Sequence, residues 1–256
     1  MSRTEIDYAA KDACHWDELE SLIAEQGFRI RDVMLHFPAY LRRRELPRFL
    51  AHYELFKQVI DLPGSILDVG VYRGASFFTW AKLLETFCPA DHHRLVYGFD
   101  HFEGLVHFTE IDGPIDEEKR DPSLEARHIH ALSSSADAMR RLVTLHNDDN
   151  LLTGLVRCHL VEGDVMKTIP KFVEEHPGAR ISLLHLDADL YEPTKIALEC
   201  LYPLILKGGI VVMDEYGLQT WPGETRAVDD FLSGLPERPV IKRFPTSCTP
   251  GGFFVK

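Results

Sequence analysis

Two acidic clusters, each directly after an apolar run, are the side chains of this sequence best placed to do chemistry. The first run ends in Asp187 and Asp189, and the second ends in Asp214 and Glu215. Carboxylates at this density repel one another unless a cation or a proton lies between them. The two clusters therefore predict a metal site.

The elements that must position these acids follow a strand–helix rhythm that begins at about residue 61. Apolar runs typical of buried strands alternate with segments of helical length, which predicts an α/β fold with a doubly wound, mostly parallel seven-stranded sheet. The predicted strands span residues 66–69, 95–99, 156–161, 181–186, 210–213, 240–244 and 252–255. In this fold the fourth and fifth strands are neighbours, and their ends lie about 5 Å apart.

Neighbouring strand ends would bring Asp187, Asp214 and Glu215 together. An all-oxygen ligand set suits Mg²⁺, or Mn²⁺ or Ca²⁺, better than Zn²⁺. Asp189 lies beyond the strand, in the position of a general base. His185 is interpreted as a buried structural histidine. If the acids were only helix N-caps, capping would explain one of the four.

The turn after the first predicted strand favours a cofactor without a pyrophosphate. It departs from G-x-G-x-x-G because Tyr72 stands where the second glycine would let a pyrophosphate approach the backbone. Asp68 also suits a cationic ligand better than a phosphate. S-adenosyl-L-methionine fits these features, and the turn contributes Gly70, Gly74 and Ser76 to the predicted cofactor site.

Two further strand ends extend the predicted cofactor site. Asp100 follows the second strand, where a carboxylate can accept hydrogen bonds from ribose hydroxyls. Gly163 and Asp164 follow the third strand, where an adenine could lie against the glycine and be recognised by the carboxylate of Asp164. Each end taken alone could be an ordinary helix cap. The ordered set favours cofactor binding.

Composition excludes several other function classes. The 28 basic and 40 acidic residues give a formal net charge of −12, which argues against nucleic acid or an anionic membrane as a partner. The five cysteines form no C-x-x-C motif and suit a reducing compartment. Because no apolar stretch approaches the roughly 20 residues of a membrane span, a cytoplasmic protein is expected.

The chain divides into a predicted extension and one main domain. Residues 1–60 show apolar positions at helical spacing, which indicates a helical N-terminal extension with a role as lid or in oligomerisation. Residues 61–256 form the α/β domain. Its polar segment 105–134 interrupts the strand–helix rhythm, and an insertion of this length after a strand is typically functional or disordered.

Several motifs together resemble those of the macrocin O-methyltransferase (TylF/MycF) family. They are the decapeptide His-Leu-Asp-Ala-Asp-Leu-Tyr-Glu-Pro-Thr at 185–194, Asp-Glu-Tyr-Gly at 214–217, Trp-Pro-Gly-Glu at 221–224, Asp-His-Phe-Glu-Gly at 100–104 and Gly-Asp-Val-Met-Lys-Thr-Ile-Pro at 163–170. The resemblance covers about residues 60–235. It implies a class I methyltransferase dependent on S-adenosylmethionine and Mg²⁺, which methylates a sugar hydroxyl of a glycosylated natural product. It also implies a homodimer or larger homo-oligomer.

The resemblance assigns roles to individual residues. It implies that Asp187, Asp214 and Glu215 are metal ligands and that Asp189 is the base. The cofactor residues that it implies are Asp68, Gly70, Ser76, Asp100 and Asp164. Trp221, whose ring could stack on a sugar face, and Tyr191 are the candidate acceptor contacts.

Three alternatives remain at this stage. A catechol-type O-methyltransferase would apply the same metal chemistry to an aromatic diol. A nucleotide-binding oxidoreductase is disfavoured by Tyr72 in the first turn. A non-catalytic Rossmann-like binding protein is disfavoured by the cost of keeping four unpaired acids at one sheet edge.

Overall fold

A six-stranded sheet forms the centre of the structure, a computed structural model in which residues 8–113 and 134–256 are described. The sheet order is β3-β2-β1-β4-β5-β6, and all neighbours are parallel except β5 and β6. The strands are β1 Ser65–Val69, β2 Val96–Asp100, β3 Cys158–Glu162, β4 Ile181–Leu186, β5 Ile205–Met213 and β6 Gly252–Val255. This order brings the carboxyl ends of β1, β4 and β5 side by side.

Helices cover both faces of the sheet. The described residues contain α1 Tyr8–Glu25, α2 Ile30–Leu35, α3 Phe37–Tyr40, α4 Leu46–Val59, α5 Ala75–Phe87, α6 Ala136–Asp148, α7 Val165–Glu175, α8 Tyr191–Leu201 and α9 Pro222–Ser233. Helices α4, α5 and α6 contribute side chains to one hydrophobic core, and α7, α8 and α9 contribute to the other. Every residue of β4 is buried, as expected for a parallel strand with helices on both sides.

The predicted α/β, doubly wound fold is confirmed, with two local differences. The prediction of a seventh strand at 240–244 is wrong in the described structure, because this segment makes a single bridge between Lys242 and Phe253. Val240 is 74% exposed, so its side chain contributes little apolar burial that would stabilise pairing of this segment with the sheet edge. Helix α6, which lies in the span after the predicted insertion, was not predicted.

The described N-terminal segment is helical, and its last helix belongs to the core. Five residues of α4 are buried: Ala51, His52, Leu55, Phe56 and Val59. In contrast, α2 and α3 contain no buried residue. Helix α4 is therefore part of the framework of the site, whereas the lid or oligomerisation role of residues 1–60 stays a prediction.

The insertion predicted at 105–134 is described only at its two ends, because residues 114–133 lie outside the described part of the chain. Its first part contains a 3₁₀ turn, Glu110–Asp112. Asp112 is buried and accepts a hydrogen bond from the Tyr191 backbone N–H at 2.7 Å, which ties this loop to the start of α8. None of the described helices is both long and apolar enough to cross a membrane.

Candidate active site

A cavity of about 440 Å³ lies at the carboxyl edge of the parallel strands. Its walls come from the residues after the five strands β1 to β5, from the starts of α4 and α5, and from the loop at 104–107. The predicted site residues that line it are Gly70, Ser76, Asp100, Asp164, Asp187, Asp189, Asp214, Glu215 and Trp221. The three predicted metal ligands and four of the seven predicted cofactor residues therefore share one cavity.

Gly70 joins the first turn to the acid clusters. Its N–H donates to the Phe99 carbonyl at 3.0 Å, while the Asp187 N–H donates to the Val69 carbonyl at 2.8 Å. Gly70 has a φ of +99°, and a Cβ at this position would lie 1.8 Å from the Asp187 carbonyl oxygen. Only glycine permits this backbone approach between the ends of β1 and β4.

The three carboxylates predicted to converge do lie together. Asp187, Asp214 and Glu215 each offer an oxygen, and these atoms all lie within 4.8 Å of one another. Asp214 and Glu215 are 1% and 6% exposed, so water screens their charges weakly. The convergence follows from the adjacency of β4 and β5, and metal binding by these residues stays a prediction.

His185 lies beneath this cluster as a buried imidazole between two acids. Its Nδ1 makes a short hydrogen bond to Asp68, and its Nε2 lies 3.4 Å from Asp214 Oδ1. Burial lowers the pKa of His185, but Asp68 and Asp214 raise it to about 10. The interpretation of His185 as a buried structural histidine agrees with these contacts, since an imidazolium here stabilises two buried carboxylates.

Arg48, at the start of α4, is a site residue that the sequence did not reveal. Its Nη2 lies 2.6 Å from Asp187 Oδ2, 3.1 Å from Asp214 Oδ2 and 2.9 Å from Ser76 Oγ. It is separated from Asp187 by 139 residues and stands in no recognisable motif. The helical periodicity of α4 predicted the helix, but only the packing of α4 beside β4 and β5 brings Arg48 to the acids.

The surrounding charges shift the pKa values of the acids in different directions. Burial, with the neighbouring Asp214, raises the pKa of Asp187 to about 7 against the opposing effect of Arg48. Burial also raises the pKa of Asp214, but Arg48 and His185 outweigh it, and the net pKa is lowered. Asp214 is therefore the acid of this group that is held most firmly in its charged form.

Asp189 lies in the turn between β4 and α8 and lines the cavity. Its φ of +59° is left-handed, a conformation that aspartate tolerates better than most residues. Burial raises the pKa of Asp189, and the charges of Asp187 and Asp214 raise it further. A carboxyl group with a raised pKa is suited to accept a proton near neutral pH.

Glu224 supports the cluster from α9. It is the last residue of the Trp-Pro-Gly-Glu motif at 221–224, for which the sequence indicated no role. It is fully buried, and its Oε1 accepts a hydrogen bond from the Glu215 backbone N–H at 2.9 Å. This contact fixes the backbone that carries Glu215. Its position, in the first turn of α9 directly after Trp221-Pro-Gly, is the sequence signal that could have identified it.

The other cofactor candidates present polar groups along the cavity. Asp100 accepts hydrogen bonds from the backbone N–H groups of Tyr72 at 2.7 Å and Phe102 at 2.6 Å. Asp164 caps α7 by accepting from the Met166 N–H at 3.0 Å, and it also contacts His107 Nε2 at 2.9 Å. Both oxygens of Asp100 keep a lone pair for a further donor, and in Asp164 it is Oδ2 that stays available, since Oδ1 makes both contacts.

Four predicted site residues, all in the described part of the chain, stand apart from the cavity lining: Asp68, Gly74, Gly163 and Tyr191. Asp68 is buried against His185, and Gly74 begins α5 with a φ of +85° beside the Phe78 ring. The Tyr191 hydroxyl donates to Asp230 Oδ2 at 3.2 Å. The structure thus gives Asp68 and Tyr191 other partners, and their cofactor and substrate roles stay predictions.

The family model of the macrocin-O-methyltransferases (TylF) matches residues 48–236 of this chain. The chain belongs to this family. The match begins at Arg48 and includes the whole acid cluster, whereas α1 to α3 precede it. The family resemblance stated from the motifs is confirmed.

Two curated relatives carry names of O-methyltransferases, and one of these names includes a rhamnosyl group. Mycinamicin III 3''-O-methyltransferase of Micromonospora griseorubida is 28% identical over 158 residues, which are 60% of this chain and 56% of that protein. The 4'-O-methyltransferase of 8-demethyl-8-(2,3-dimethoxy-alpha-L-rhamnosyl)-tetracenomycin-C from Streptomyces olivaceus is 30% identical over 61% of this chain and 54% of that protein. The chain matches little more than half the length of these curated relatives.

Solved structures of the same family share the fold. CalS11, a calicheamicin methyltransferase, superposes with a TM-score of 0.82 at 26% identity and covers 100% of this chain and 94% of its own. The O-methyltransferase NovP gives a TM-score of 0.62 at 23% identity over 82% of this chain and 79% of its own, a likeness of fold alone. The described architecture is that of a class I methyltransferase.

Proposed function

We propose that this protein is an S-adenosylmethionine- and Mg²⁺-dependent O-methyltransferase that acts on a sugar hydroxyl of a glycosylated natural product. The observation that carries the proposal is the convergence of Asp187, Asp214 and Glu215 within 4.8 Å in the cavity that the first turn also lines. Family membership supports the reaction class. The name of one relative, the 4'-O-methyltransferase of a rhamnosyl-bearing tetracenomycin, supports a sugar acceptor over a catechol.

The acid cluster fits a hard divalent cation. The donors are carboxylate oxygens, which Mg²⁺ prefers, and they come from two adjacent rigid strands. Glu215 Oε2 is buried without a hydrogen-bond partner among the described residues, and buried Asp214 Oδ2 has no hydrogen bond there, only the ion pair with Arg48 at 3.1 Å. Buried carboxylate oxygens of this kind are costly unless they are paired. Asp187, Asp214 and Glu215 would hold the cation.

The cavity also fits S-adenosylmethionine. Gly70 and Ser76 line it beside the acid cluster, and Asp100 and Asp164 line it from the ends of the next two strands. These residues would hold the methionine, ribose and adenine parts in that order along the strand ends. When bound, this cofactor supplies a methyl group on a sulfonium, and the divalent cation supplies positive charge beside the acceptor hydroxyl.

The chain itself contributes proton transfer and orientation. Asp189 would accept the proton of the acceptor hydroxyl at a carboxylate oxygen as the hydroxyl oxygen takes up the methyl group. Trp221 lines the same cavity, where its ring would stack on the apolar face of a sugar. Because methyl transfer needs the two reactants in line, rigid placement by β4 and β5 supplies much of the acceleration.

An acceptor panel tests the proposal. The full chain is incubated with isotopically labelled S-adenosylmethionine, Mg²⁺ and, separately, deoxysugar glycosides and catechols. The expected result is labelled product from glycosides, with the methyl group mapped to a sugar oxygen by mass spectrometry. Transfer to catechols alone would reassign the substrate to an aromatic diol. Absence of cofactor binding in calorimetry would reject the enzyme assignment.

We also propose that the protein is cytoplasmic and forms a homo-oligomer. All five cysteines are free thiols, which supports a reducing compartment. Ile30, Met34 and Leu35 on α2 are 74%, 57% and 72% exposed, which supports burial of this helix against another copy of the chain.

A further inference from the structure

Arg48 occupies a place that the proposed function leaves unexplained. One nitrogen of its guanidinium, Nη2, faces oxygens of two predicted metal ligands, Asp187 and Asp214, at 2.6 and 3.1 Å. The same nitrogen also reaches the Ser76 hydroxyl at 2.9 Å. A positive charge of the chain therefore lies on the oxygens that a cation would need.

The geometry of this contact differs from that of a permanent arginine–carboxylate anchor. A stable anchor is bidentate, with two guanidinium nitrogens donating in parallel to one carboxylate. Here Nη2 carries two hydrogens for three oxygens, while Arg48 Nε is buried without a hydrogen-bond partner among the described residues. The guanidinium is thus placed for its charge more than for its hydrogen bonds.

The charge itself is needed at this position when no other cation is present. Asp187 and Asp214 lie within reach of one metal ion, and repulsion between two carboxylates at such a distance is large in a weakly screened cavity. Arg48 offsets part of that repulsion. Its carrier, α4, is fixed by Leu55 and Phe56 in the core, so the movable part is the side chain and not the helix.

We propose that Arg48 is a positioning residue that serves as a replaceable counter-ion for Asp187 and Asp214. It holds the two carboxylates together before the divalent cation arrives and then gives up their oxygens, keeping Ser76 as its nearby acceptor. The guanidinium and the divalent cation compete for the same carboxylate oxygens, so Arg48 weakens metal binding. This inference rests on the metal site of the proposed function.

Binding of Mn²⁺ to the full chain, measured by electron paramagnetic resonance, tests this role without any turnover. Arg48→Met removes the competing charge and should tighten Mn²⁺ binding about tenfold. Arg48→Lys keeps the charge and should stay within about threefold of the wild type. Arg29→Met is the matched control, because Arg29 is an exposed arginine of the same N-terminal segment, paired only loosely with Asp32 at 4.0 Å. It should leave Mn²⁺ affinity unchanged.

Thermal denaturation provides a second readout. Without metal, Arg48→Met should melt at a lower temperature than the wild type, and saturating Mn²⁺ should raise its melting temperature by a larger amount than it raises that of the wild type. If Arg48 only formed a structural salt bridge, Arg48→Met would melt at a lower temperature without metal, but Mn²⁺ would not raise its melting temperature by more than it raises that of the wild type. If Arg48→Met fails to fold, Arg48→Gln replaces it, since glutamine keeps hydrogen-bond donors without the charge.

Each outcome decides the matter. Tighter binding in the uncharged variant, with Arg29→Met unchanged, supports the proposal, and so does binding that appears only when Arg48 is neutralised. Equal or weaker binding in a folded Arg48→Met, with normal binding in the wild type, overturns the counter-ion role and leaves the proposed function intact. Absence of Mn²⁺ binding in every variant overturns both.

Discussion

Among single residues, Asp189 is the proposed acceptor of the proton. Asp189→Asn should lower kcat about 10²- to 10⁴-fold, because asparagine cannot accept the proton. Asparagine tolerates the φ of +59° at this position, so folding should be preserved. Steady-state kinetics, with cofactor affinity measured by calorimetry, would check this. Asp148→Asn, at an exposed acid outside the cavity lining, is the control, and undiminished turnover by Asp189→Asn would reject the base assignment.

A second residue-scale prediction concerns the glycine that joins the first turn to the acids. Gly70→Ala should destabilise the protein by at least about 2 kcal/mol, because φ is +99° and the new Cβ would lie 1.8 Å from the Asp187 carbonyl oxygen. Chemical denaturation measures the free energy of unfolding. Gly178→Ala is the matched control, since among the described residues no atom beyond its chain neighbours lies within 4 Å of the added Cβ. Equal stability of the two variants would contradict the close approach of β1 and β4.

The sequence predicted the acids of the site better than their partners. Asp187, Asp214 and Glu215 follow strands that their apolar runs already indicate, so their convergence is a consequence of strand order. Arg48 could not be predicted in the same way, because it reaches the acids through the packing of a helix far away in sequence. For Asp68 the position was predicted correctly but the partner was not. Its place in the turn suggested a cofactor contact, whereas in the structure its carboxylate is hydrogen-bonded to His185.

At the scale of secondary-structure elements, α6 makes the stability depend on pH. His146 of α6 stacks on Phe78 of α5, with ring centres 4.1 Å apart, and burial lowers its pKa to about 4. The unfolded chain, with a histidine pKa of about 6.5, therefore binds more protons than the folded protein between these values. The free energy of unfolding should fall as the pH is lowered from about 6.5 to about 4.

Substitution of this histidine isolates its part of the pH dependence. His146→Phe keeps an aromatic ring on Phe78 but cannot take up a proton, so the fall in stability between these pH values should be shallower. Urea denaturation of both proteins across this range measures it. His92→Phe, at an exposed histidine, should keep the wild-type slope. Identical slopes for all three proteins would show that His146 does not titrate with an altered pKa.

The elements that repeat the strand–helix rhythm were predicted well, and the irregular ones were not. The predicted spans of β4 and β6 agree with the structure, because a continuous apolar run fixes each. Helix α6 follows residues 114–133, which lie outside the described structure. It could not be predicted from the strand–helix rhythm, because the sequence indicates no strand directly before it. The segment at 240–244 has a strand-like composition, but pairing at the sheet edge is set by tertiary contacts.

At the scale of the whole molecule, the exposed apolar side chains of α2 should be covered in the assembled protein. The combined substitution Ile30→Glu and Leu35→Glu should shift the mass towards that of a monomer, since a charge buried at such a contact is unfavourable. Size-exclusion chromatography with light scattering measures the mass. Lys171→Glu on α7 is an exposed control. A wild-type protein that is already monomeric would reject the oligomeric assignment.

The central claim is that the acids at the ends of β4 and β5 serve metal-dependent methyl transfer to a sugar hydroxyl. The most direct measurement is labelled methyl transfer from S-adenosylmethionine to a deoxysugar glycoside before EDTA treatment, after it and after Mg²⁺ is restored. We expect that transfer is lost with EDTA, returns with Mg²⁺ in the wild type, and does not return in Asp214→Asn. Transfer that continues undiminished in EDTA would contradict it.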